Sequence, residues 1–100
     1  MPQTSKEMLQ EVDDRIANTR AESKQQKEVL ENLENQLKVE ERMFIELGEK
    51  KDELAENQKY IVMAVRDEIE FQKGKLDELE TDLKLLYKKH EVLSRPTWNF

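Results

Sequence analysis

From Leu9 onward a large apolar residue returns at every seventh position through most of the chain. The series Leu9, Ile16, Ser23, Leu30, Leu37, Phe44, Lys51, Gln58, Val65, Gln72, Leu79, Leu86 and Leu93 is apolar at nine of 13 places. An apolar content of 36% would give about five by chance. A companion series three residues on, Val12, Thr19, Gln26, Leu33, Glu40, Leu47, Leu54 and Ile61, is apolar at five of eight. Beyond Ile61 the companion moves one place, to Val62, Ile69, Leu76, Leu83 and His90. Two such series are the a and d positions of a heptad, the stripe that a coiled-coil helix turns toward its partner. The steps of 4, 4 and 3 through Leu54, Gln58, Val62 and Val65 describe a stutter near residues 58–65, a local unwinding of the supercoil.

The ends of this pattern carry their own signals. Proline occurs only at Pro2 and Pro96, so no strong breaker interrupts the stretch between them. Thr4 followed by Glu7 has capping-box spacing, just ahead of Met8 and Leu9. Lys88, Lys89 and His90 set positive charge near the negative end of a helix dipole, and Ser94-Arg95-Pro96 stops the helix. The expected organisation is a leader at 1–3, a coiled-coil region at 4–94 and a short aromatic tail at 95–100. Acid-first pairs at Glu34 and Lys38, Glu46 and Lys50, and Glu80 and Lys84 add a few tenths of a kcal/mol each (~0.2–0.5).

Two places weaken a continuous helix. The polar segment Gly48-Glu49-Lys50-Lys51-Asp52 puts Lys51 on the seam, and Gly74 costs about 1 kcal/mol relative to alanine. Residues 48–53 could therefore turn the chain into a helical hairpin. Phe44, Leu47, Leu54 and Ile61, however, keep one register across the gap, which favours a single long bent helix. Either way the fold class is all-α, and a rod can bury its seam only against another chain.

That makes an oligomer the expectation, homomeric or heteromeric. Its interface would use Leu9, Val12, Ile16, Leu30, Leu33, Leu37, Phe44, Leu47 and Leu54 in the first part of the chain. Ile61, Val65, Ile69, Leu76, Leu79, Leu83, Leu86 and Leu93 would follow. Ser23, Gln26, Glu40, Lys51, Gln58 and Gln72 interrupt the seam with polar groups. Such residues either stay wet in a loose coil or admit only a partner and register that can satisfy them. Residues 60–65, Tyr-Ile-Val-Met-Ala-Val, form an uncharged run that is apolar all the way round a helix. Tyr60 and Met63 are therefore candidates for docking a further partner, as are Trp98 and Phe100 in the tail.

The same run has the length and β-branched content of a strand. With residues 64–69, Ala-Val-Arg-Asp-Glu-Ile, and 75–79, Lys-Leu-Asp-Glu-Leu, it resembles the entry to the second arm of a prefoldin subunit. That resemblance implies two coiled-coil arms, a short β element near 60–65 and an ATP-independent chaperone that grips unfolded chains. No Gly- or Asn-centred turn precedes Tyr60, which departs from that pattern.

Catalysis is not expected. His90 is the only histidine and falls on the seam, and the chain has no cysteine, so no cofactor or metal site is expected. Phosphate-binding glycine loops, nucleophile elbows and calcium loops are missing from the sequence. Seventeen basic against 23 acidic residues give a net charge of −6, which opposes nucleic-acid binding and attraction to anionic membranes. No apolar run reaches the ~18–20 residues that span a bilayer. The expectation is an intracellular protein, cytoplasmic or nuclear, serving as a non-enzymatic scaffold or tethering subunit of a protein assembly.

Overall fold

The computed structural model describes residues 4–48 and 52–95, and they form two helices. Helix α1 spans Ser5–Gly48 and helix α2 spans Glu53–Leu93. Thr4 caps α1 as its spacing predicts: its hydroxyl accepts the Glu7 amide at 3.2 Å. Asp52 does the same for α2, its carboxylate accepting the Ala55 amide at 3.1 Å. Glu53 and Glu56 in the first turn add negative charge where the helix dipole favours it. At the far end, the Ser94 amide bonds the His90 carbonyl at 3.0 Å and the Ser94 hydroxyl bonds the Glu91 carbonyl at 3.1 Å.

The single continuous helix is thus corrected to a helical hairpin. Both helices contribute to each of two compact units, one joining α1 through residue 25 with α2 from residue 76, the other covering residues 26–75. Within the second unit the direction is antiparallel, because Gln26 bonds Gln72 while Gln58 bonds Glu40.

Along α2 the buried and half-buried positions run 55, 58, 62, 65, 69, 72, 76, 79, 83, 86, 90, 92 and 93, with one phase through residues 58–65, where a stutter is expected. The seam of α1 runs through 9, 12, 16, 19 and onward to 44 and 47, also unbroken. The phase shift lies between Leu47 and Ala55, in the passage from one helix to the next. Ala55 and Val62 are buried there, whereas Leu54 and Ile61 face outward.

Val12, Leu30, Val62, Val65, Ile69, Leu86 and Leu93 are buried by the chain's own helices. Each such side chain contributes roughly 1.5–3 kcal/mol. Much of the seam expected to need another chain is thus covered by the chain's own helices. Residues 60–65 are helical, so the expected β element is not formed there. Lys51, the 1–3 leader, Pro96, Trp98 and Phe100 lie outside the described residues.

Candidate association surface

Heptad positions define what each helix shows to its surroundings. With a at Leu9 and d at Val12 in α1, and a at Ala55 and d at Gln58 in α2, the a and d residues form the seam. Positions e and b flank the a side, and positions g and c flank the d side. Of the expected interface residues, all but Leu54 and Ile61 lie on the seam within the hairpin. Leu54 and Ile61 occupy g positions and are 62% and 44% exposed.

Four of the six polar interruptions pair with one another inside the chain. The Gln26 carboxamide nitrogen donates to the Gln72 side-chain oxygen at 2.6 Å and to its backbone carbonyl at 2.9 Å. Gln58, only 5% exposed, donates in the same way to the Glu40 carbonyl at 3.0 Å and to the Glu40 carboxylate. Gln72 also donates to Glu68 at 2.7 Å. Among the described residues no buried side-chain polar atom lacks a partner. The partners of Gln26, Glu40, Gln58 and Gln72 thus belong to the same chain.

On the e and b flank of residues 26–75, the Arg66 guanidinium lies 3.7 Å from the Glu41 carboxylate, both at e positions. Beside this pair is an open groove of about 440 Å³, with Phe44, Ile45, Val62 and Met63 as its apolar wall and Lys59 at its rim. Met63 therefore lines a groove, while Tyr60 points outward. The g and c flank carries Met43, Leu54 and Ile61, with Val29, Val39 and Phe71 farther along, all exposed. The Lys75 ammonium sits 4.8 Å from the centre of the Phe71 ring.

In the other unit, His90 Nε2 lies 3.1 Å from Asp13 Oδ1, tying its half-buried seam position to the opposite helix. Glu91 pairs with Arg95 at 3.1 Å, itself an acid-first i,i+4 pair, and with Lys88 at 3.8 Å, while Lys50 of the expected Glu46 and Lys50 pair lies outside the described residues. The Arg95 hydrogen bond, helped by the charges of Lys88 and Arg95, holds the Glu91 carboxyl below its ordinary value. Among the described residues no three His, Cys, Asp or Glu side chains gather as a metal site needs. No helix among them is long and apolar enough to cross a membrane.

Apolar side chains thus lie exposed outside the seam on both flanks. Counting by sevens from α1 expects Leu54 and Ile61 on the seam, whereas both face outward, and it does not pick out Ala55 or Val39. Ile45 belongs to the apolar triplet Met43-Phe44-Ile45. Comparison with known protein families, with curated proteins and with solved structures finds no match to this chain.

Proposed function

We propose that this chain is a non-enzymatic coiled-coil scaffold or tethering subunit, acting through helix-helix association in a larger protein assembly. One observation carries the reading. With its seam closed internally, the unit of residues 26–75 still exposes Met43, Leu54 and Ile61 on one flank and Ile45 and Met63 on the other. Apolar side chains gathered on an exposed face are the kind of surface that a partner protein covers. A paired-helix unit supports this role because its outer faces present side chains at fixed 3.6-residue spacing, which another helix can mesh with.

The test is the mass of the chain by sedimentation equilibrium, both purified alone and in complexes isolated from its native source. Species larger than 12.0 kDa, dissociated by Ile61→Asp, are expected. A 12.0 kDa species under every condition would overturn the reading. So would a lone monomer that suppresses aggregation of an unfolded client, which would move the function to a chaperone.

A further inference from the structure

The two flanks of residues 26–75 differ sharply in charge. On the g and c flank, α1 presents Val29, Asn32, Gln36, Val39 and Met43. From α2 the same flank receives Leu54, Asn57, Ile61 and Ala64. All nine are exposed and none is charged, in a chain where 40% charged residues would give between three and four. The same flank over residues 26–75 also carries Glu46, Glu68, Phe71 and Lys75, so three of its 13 positions are charged, and Lys75 covers the Phe71 ring. The opposite flank has 13 positions too, of which only Ile45, Gly48 and Met63 are uncharged. Lys27, Glu31, Glu34, Lys38 and Glu41 occupy the rest on α1, and Glu56, Lys59, Arg66, Glu70 and Lys73 on α2. Helix propensity cannot produce this contrast, because glutamate and lysine suit an exposed helix better than valine, isoleucine or asparagine.

We infer that this charge-poor g and c flank is a homodimer interface, covered by the same flank of a second copy of the chain. This rests on the association reading above and names its partner. Three arguments select a second copy. A central face whose nine positions from Val29 to Met43 and Leu54 to Ala64 carry no charge disfavours a charged partner, whose groups would lose water and gain no counterion. Its polar groups there, Asn32, Gln36 and Asn57, are carboxamides that both donate and accept, so they can be satisfied by their own two-fold mates. Finally, each chain carries −6, so copies repel over most of their surface. The g and c flank is where two of them meet with the least charge set on charge. Flank-to-flank packing of two hairpin units gives four helices in one layer-on-layer bundle, and Val39, Met43, Leu54 and Ile61 become its second seam.

Sedimentation equilibrium on the full chain tests this with two double variants. Val39→Glu with Ile61→Glu alters the g and c flank, and Ile45→Lys with Met63→Lys alters the other. All four sites are exposed, so circular dichroism should show both variants as helical as the parent. The parent is expected at twice 12.0 kDa, the first variant at 12.0 kDa, and the second still dimeric. A parent that stays monomeric at all accessible concentrations would overturn the homodimer. If it nevertheless sediments with a foreign protein in complexes from the native source, the broader association reading survives. A dimer that resists the first variant and yields to the second would place the interface on the charged flank and equally overturn the proposal.

Discussion

Gln58 and Glu40 are joined twice across the hairpin, the Gln58 carboxamide nitrogen meeting both the backbone carbonyl and the carboxylate of Glu40. One donor thus satisfies a main-chain and a side-chain acceptor on the opposite helix. Removing it alone, by Gln58→Leu, leaves the half-buried carboxylate against an apolar group and should cost about 1–3 kcal/mol. Replacing both, Glu40→Leu with Gln58→Leu, removes the desolvation burden as well and should recover most of that loss. Urea denaturation measures both. Equal stability for the parent and the single variant would show that the cross-helix bonds contribute nothing.

Ile69 and Ile45 belong to the same unit and the same residue type, yet are 7% and 70% exposed. Ile69→Ala should destabilise by about 2–5 kcal/mol, since it removes buried methyl groups and leaves a cavity. Ile45→Ala should stay within about 0.5 kcal/mol of the parent. Thermal unfolding of the two variants side by side gives the comparison.

Gly74 lies in the interior of α2 with open space where a β-carbon would be, so an alanine there meets nothing. Gly74→Ala should stabilise the chain by up to about 1 kcal/mol, by removing the backbone freedom that glycine loses on folding. In a domain of this size that raises Tm by roughly 4–8 °C. A lower Tm would mean that glycine serves a contact not visible in the chain alone.

Glu91 provides the pH-dependent element at the end of α2. Its carboxyl is held below its ordinary value by the Arg95 hydrogen bond and by the charges of Lys88 and Arg95. A lowered carboxylate contributes when ionised, so the link is present above the ordinary glutamate range and lost as pH falls through the lowered value. A carbon-detected NMR titration should find the Glu91 midpoint below the ordinary value, and Arg95→Ala should move it upward. The group is fully exposed, so salt should weaken the effect.

Much of the fold was legible in heptad arithmetic, and its largest misreading has a physical cause. Leu47 and Ala55 are eight residues apart, so counting on by seven lands on Leu54 and then Ile61. Both are apolar because they belong to the outer g flank, and this second stripe passed for a continuation of the first. Asp52 had been grouped with a polar soft spot, although an aspartate three residues before Ala55, followed by Glu53 and Glu56, is a helix start. The polar seam positions were found individually. Which of them meet could not be read until the hairpin's direction was known, because the sequence gives spacing along one helix and not alignment across two. The candidate surface was harder to see for the same reason: flanks acquire meaning only after the seam's phase is fixed in each helix separately.

That independence of phase has a consequence for how the chain tolerates change in length. An extra residue inside α2 would rotate everything beyond it by about 100°, turning leucines outward and glutamates inward for the rest of the helix. An extra residue between Gly48 and Asp52 would shift neither helix's frame. Insertions and deletions compatible with folding should therefore concentrate at the hinge between the arms, while the arms themselves change by substitution alone.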